Sequence, residues 1–541
     1  MTSMTTEPRS GIDFIHPTPS NNKSARSRGQ QLYALSKVCK AFHEPALDCL
    51  WHNLPGIEPL LKLHPALTVI NGAYCPQQID ADKVGKFKKF SKRVRGIRLG
   101  PTEPSVHTAF ASYAWLGQQR NTLPLLPALR RIYLEGAGGD TQQLGLLPLI
   151  LSPSIKAVEF QGPLIFIEAF CSWILPLVCT CPDAMQSFSM TDPSHSQQVP
   201  IWDAFTRIAG SLPINTLEIC FPNNPTMPPS FVGQLGGKFA CLTSLTLDIH
   251  TPSHGASNQI SSKAFPALSS LHLVHRSHTK ICGCYPPQLV QQATSITLYV
   301  ESSVTNVGAF KDALDTLSAI QPLARIRIEQ SYPHHEISIL ASAVCPFLQR
   351  LNLKELHLGV WGLDSGPNNP HGQQAIKALA DAGSGLRSLT LPLGRRAVYW
   401  FPSRRIVQFP RPNYPSVGSL VYLAQQKSAL RHLALSIDSS AAEENGVTFG
   451  FKTFAAGWNP ERISNLRHLE LADMRATSAP VLTGAQCKDL ALLLDTIFPN
   501  LESLSMLDSP EADTARDEQW DTIDELRRSF KELRLYRSGH F

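Results

Sequence analysis

Apolar and polar positions along this chain keep returning to one phrase, Leu-x-x-Leu-x-Leu. It reads LTSLTL from Leu242, LSSLHL from Leu268, LQRLNL from Leu348 and LKELHL from Leu353. It returns as LRSLTL from Leu386, LRHLAL from Leu430 and LRHLEL from Leu466. The second and third Leu stand two apart, which puts both on one face of a strand. The first Leu enters from the preceding turn. One short strand cannot bury such a face alone, so neighbouring copies must stack side by side. Looser copies at Val94, Leu129, Ile155, Met185, Ile214, Ala293, Leu323, Leu501 and Phe530 fill the gaps. Together they predict about fifteen parallel strands.

The segments between the copies predict helices, at Val307, Gln373 and Lys488 among others. Helices are about twice as wide as the strand spacing. Placed on one side, they bend the stack, leaving the strands' polar alternates on a concave face. The predicted class is α/β: a leucine-rich-repeat solenoid over residues 94–541 with a small helical module ahead of it. Outward-facing strand residues should include Tyr133, Glu135, Thr246, Asp248, His272, Tyr299, Arg327, Glu329, His357, Glu470, Arg534 and Tyr536. The plain alternative for each is a solvated side chain with no partner.

The N-terminal pattern is of another kind. Residues 1–30 are polar and read as a disordered tail. In QLYALSKVCKAFHEPALDCLW, Leu32, Leu35, Val38, Cys39 and Phe42 fall at helical spacing. Glu44 and Pro45 then restart a helix, with Pro in its first turn and Ala46, Leu47, Leu50 and Trp51 on its apolar side. This stretch resembles the second half of an F-box, and the HNLPGIEPLLKLHP that follows is similar to its continuation in fungal F-box/leucine-rich-repeat proteins, which makes 31–93 an F-box-like helical region. The likeness rests on Leu32, Leu35, Val38-Cys39-Lys40, the Phe42-to-Pro45 corner and Leu50-Trp51. It implies docking on the Skp adaptor of a cullin ubiquitin ligase, through Leu32, Leu35, Val38, Phe42, Pro45, Leu47, Leu50 and Trp51. An F-box usually opens with a Leu-Pro-x-Glu helix, which residues 1–30 do not contain, so this copy is N-terminally incomplete. The alternative is a hairpin that only covers the first edge of the solenoid.

Composition narrows the remaining chemistry. A net charge of +6 over 541 residues calls for no polyanion. Twelve scattered Cys without a signal peptide read as reduced thiols of the cytoplasm or nucleus. PLIFIEAFCSWILPLVC from Pro163 is short and carries Glu168 and Pro176, so it reads as a buried helix and not a membrane span. His272, His275, His278, Cys282 and Cys284 have two of the residue types zinc needs, but Cys-x-Cys is tight and His272 belongs to a strand; a polar loop is the better reading. The basic run from Lys83 to Arg98 carries Phe87, Phe90 and Val94 at helical spacing and reads as an amphipathic helix before it reads as a nuclear signal. No phosphate loop, nucleophile elbow or His-Glu-x-x-His occurs, so neither an enzyme nor a cofactor is expected.

Target binding then falls to two places. One is the strand face, represented by His272, Tyr299 and Arg327. The other is the stretch from Arg395 to Tyr414, where Trp400, Arg404 and Arg405 combine the two residue types that dominate protein interfaces. The expected function is the target-recognition subunit of a cullin ligase. A repeat scaffold without the adaptor link is the second reading.

Overall fold

The computed structural model describes residues 22–100, 125–192, 201–249, 265–300, 415–449, 464–506 and 514–537 apart from short intervening segments, and shorter stretches between 315 and 391. Two compact units divide the chain near residue 191, with residues 192–210 belonging to the second and 211–213 to the first.

The first unit opens with helices α1 (Asn22–Val38) and α2 (Lys40–His52), broken at Cys39, whose backbone is extended. Helix α1 thus starts ten residues before Leu32, the first apolar position of the hairpin pattern. Helix α2 starts earlier than expected too. Pro45 lies inside it, in its second turn and not its first, because Cys39 has already launched the helix by accepting from Phe42 and His43 N–H. A short helix α3 (Glu58–Leu61) follows, then α4 (Gly85–Ser91). Phe87 of α4 is buried, as expected of an amphipathic helix.

Strands Asn53–Leu54, Gly96–Leu99, Arg131–Glu135, Ala157–Gln161 and Ser187–Thr191 form the parallel ladder of the first unit in sequence order. Asn53–Leu54 has no Leu-rich phrase and was not expected. It pairs with Gly96–Ile97 and joins α2 to the ladder.

Among the described residues, ten more parallel strands form the ladder of the second unit, again in sequence order, from Thr216–Phe221 to Ser503–Met506. Alternation is plain in Thr216–Phe221, Glu355–Gly359 and His468–Asp473, where every second side chain is buried. Leu247, Leu273, Leu391, Leu435 and Leu471 are all in the core. Helices cover the apolar side: Trp202 of helix Trp202–Ala209 packs on Phe221 and on Phe231 of the next helix, with ring centroids 5.5 and 4.6 Å apart. The Pro163 segment lies in the first unit, with Phe170, Ile174, Leu175 and Val178 buried. Among the described residues no helix is long and apolar enough to cross a membrane.

Two phrases are not strands. LQRLNL gives no strand among its described residues, since the overlapping LKELHL supplies Glu355–Gly359 and Leu348 lies in helical backbone. FKELRL falls inside the helix Thr514–Arg537, so Arg534 and Tyr536 are helical residues and not strand-face ones. Asp248 also departs from expectation: although it alternates with Leu247, it is buried.

One irregularity sits inside the ladder. Strands Ser244–Ile249 and Ser270–His275 pair Leu245 with Leu271, keeping equivalent leucines level. The next pairing sets Leu273 against Ile296, a slip of two residues. An even slip keeps every side chain on its own face. The Thr294 side chain stabilises it by accepting from Leu271 N–H at 3.1 Å, while its own N–H donates to Leu271 O at 3.0 Å.

Candidate functional site

The N-terminal hairpin is held by local polar contacts and by α4. Ser36 donates to Tyr33 O at 2.7 Å, and the His43 ring contacts Ser36 O at 2.8 Å across the break. Trp51 of α2 lies on Phe90 of α4 with centroids 4.6 Å apart. Arg93 binds both Glu44 and Asp48, and Lys89 reaches Glu44 at 3.1 Å. These cations hold the Glu44 carboxyl below its usual range.

Those contacts divide the expected docking residues. Leu35, Val38 and Phe42 are 45%, 67% and 54% exposed, and Pro45 is exposed beside them in sequence. Leu35 and Val38 stand three apart, on one side of α1. Leu32, Leu47, Leu50 and Trp51 are half-buried. Trp51 is engaged with Phe90, a use of that side chain the sequence pattern did not reveal.

On the strand face of the second unit, polar side chains pair across neighbouring strands. His272 meets Ser295 at 2.8 Å and Thr297 at 3.3 Å, contacts made possible by the two-residue slip. Burial, reinforced by Arg325, pushes the His272 imidazole down to about 4. Arg327 is exposed and pairs with Glu329, which also meets His357 at 2.9 Å. Their hydrogen bonds and charges keep the Glu329 carboxyl below its usual range, against the opposing effect of its burial. Tyr299 is half-buried on the same side. Further along, His432 contacts Ser388 at 3.1 Å and Glu470 at 3.3 Å.

The first unit has its own charged pair on its strand face. Arg98 binds Glu135 at 2.5 and 2.9 Å and lies over the Tyr133 ring. Burial and Glu159 push the Tyr133 phenol up to about 12.

Trp400, Arg404 and Arg405 lie outside the described residues, as do His278, Cys282 and Cys284 and the side chain of His275. Among the described residues no group of three His, Cys, Asp or Glu is placed to hold a metal.

The arrangement therefore offers an apolar helical surface in the first unit and a polar, hydrogen-bonded strand face in the second. No protein-family model matches the chain, and no curated protein matches it. Among solved structures it is similar to a chain of "Crystal structure of Rad7 and Elc1 complex in yeast", at 13% identity over 86% of this chain and 92% of that one. The TM-score is 0.32, a likeness too loose to bear on fold or function.

Proposed function

We propose that this protein is the target-recognition subunit of an SCF-type cullin ubiquitin ligase, with the hairpin docking the Skp adaptor and the strand side holding a protein target. The observation that carries the reading is the exposure of Leu35, Val38 and Phe42 on two helices that are otherwise packed and hydrogen-bonded. Large apolar side chains left in water on ordered helices suit a protein interface. Such a subunit catalyses by proximity, holding the target near the transfer machinery.

Co-purification of the full chain with the recombinant Skp adaptor tests this. The pair should elute together, and Val38→Asp with Phe42→Asp should cut capture at least about tenfold, because buried apolar anchors dominate interface energy. Both positions are exposed, so the fold should survive the change. If the unaltered chain captures no adaptor, the second reading prevails. That reading has its own support: Asn53–Leu54 pairs with the first long strand and Trp51 packs on Phe90, as a hairpin that merely covers a sheet edge would require.

A further inference from the structure

From Thr294 onward, past the two-residue slip, the residue just ahead of each ladder strand occupies one line across the ladder. Its position is fixed by the backbone: Arg387 N–H donates to Lys354 O at 2.7 Å, Arg431 to Arg387 O at 2.8 Å and Arg467 to Arg431 O at 2.8 Å. Four consecutive strands therefore begin with a cation at the same level, Lys354, Arg387, Arg431 and Arg467. At about 4.8 Å between strands the line runs roughly 14 Å. All four side chains are exposed. Among the described residues only Arg467 meets a carboxylate, Glu502 at 3.3 Å, at the far end of the line.

The fold does not demand these charges. Thr243 and Ala324 stand at the same position in earlier strands and make the same backbone bonds, to Asn215 O and Thr294 O. Ser269 does so as well, to Thr243 O. Among the described residues the first unit has three cationic equivalents, Arg95, Arg130 and Lys156, and Arg95 turns its guanidinium onto Ala128 O at 3.2 Å. Setting four like charges a strand apart is unfavourable unless water or a counter-charge separates them. A bound counter-charge would relieve that repulsion, which Thr243, Ser269 and Ala324 do not create.

We propose that the Lys354-to-Arg467 line binds an acidic polypeptide segment that crosses the strands at their N-terminal edge. The proposal rests on the reading of the second unit as the target-binding part and is independent of adaptor docking. The next level of the ladder carries Glu355, Ser388, His432, His468 and Ser503, which adds hydroxyl and imidazole partners for a peptide and a single acidic group. Neither level has a Phe, Tyr or Trp ring, which single-stranded nucleic-acid grooves use to stack bases.

The test is fluorescence anisotropy of the full chain with a labelled ten-residue poly-glutamate peptide, beside a labelled ten-nucleotide single-stranded DNA. The chain should bind the peptide, more weakly at high salt because exposed charges are screened. Arg387→Glu with Arg431→Glu should weaken binding by about tenfold or more, and Arg387→Gln with Arg431→Gln by less, as fits exposed ion pairs that act together. Lys86→Glu with Lys88→Glu, exposed on α4, makes the same net-charge change away from the line and should leave binding within about twofold. No peptide binding by the unaltered chain, an equal loss in the α4 control, or tighter binding of the DNA than of the peptide would each overturn the proposal. Skp capture by the Arg387/Arg431 variant, measured in parallel, should stay at the unaltered level, which separates failure here from failure of the ligase reading.

Discussion

Single side chains on the ladder face are tuned by what lies on the next strand. His272 is the clearest case. Its partners Ser295 and Thr297 are neutral, Arg325 and Arg327 oppose its protonation, and Asp248 favours it only in part. Burial dominates, and the imidazole stays neutral down to about 4. The unfolded chain would take up this proton near the ordinary 6.5. Between those two values the unfolded state binds more protons than the folded one, so stability falls as pH drops from 6.5 towards 4. Replacing His272 by Gln should flatten that part of the stability curve relative to the unaltered protein, measured as urea midpoints at pH 7 and pH 5. An unchanged difference between the two midpoints would mean the imidazole is free to protonate in the fold. The sequence showed His272 on a strand, since the flanking Leu271 and Leu273 fix its parity. It could not show the partner, because Ser295 comes opposite only through the slip set by Thr294. Nor could alternation show that Asp473 and Arg475 would be buried as an ion pair at 2.9 Å, with Trp520 from the last helix donating to the same carboxylate at 3.0 Å.

At the level of elements, the strands were legible wherever a phrase stood alone and ambiguous wherever two patterns overlapped. LKELHL overlaps LQRLNL, and only one of two frames five residues apart can be extended. FKELRL fits a strand over six residues. Over twenty-four, however, TARDEQWDTIDELRRSFKELRLYR is rich in helix formers, with Trp520, Ile523 and Arg527 buried at three- and four-residue spacing. The longer window wins. Helix Gly484–Ile497 was the easier reading, and its start shows why: Thr483 and Gln486 form a reciprocal capping box. Thr483→Ala removes the acceptor for Gln486 N–H and should destabilise this helix by about 1 kcal/mol. Hydrogen exchange of amides 484–490 should speed up several-fold while amides of the strand Thr216–Phe221 stay unchanged. A uniform effect on both would place the cap's influence outside its own helix. The N-terminal hairpin was legible as two helices but not in its boundary at Cys39, where extended backbone replaces the Pro45 corner.

The second unit as a whole is a parallel ladder, and such a ladder can always accept another strand at its end. The helix Thr514–Arg537 answers that problem. Arg527 is buried and donates to Leu501 O at 3.0 Å, just ahead of the last strand, while Asp524 neutralises it at 2.6 Å. Lys531 reaches the same carbonyl at 3.0 Å, and Arg534 binds Asp495 and Pro499 O, both at 2.9 Å. Trp520 and Gln519 close over the Asp473–Arg475 pair. Removing the helix would uncover the edge of Ser503–Met506 and strip a buried ion pair of two of its hydrogen-bond partners, and an undersatisfied buried pair is strongly unfavourable. A chain ending at residue 513 should therefore lose the monomeric peak in sedimentation velocity and run as larger species, with a lower melting temperature. Arg527→Ala alone should lower the melting temperature while keeping the monomer, because Trp520, Ile523 and Lys531 still cover the edge. A truncated chain that stays monomeric and melts as before would show that Ser503–Met506 needs no cover, and that the helix is an attachment to the ladder and not its end.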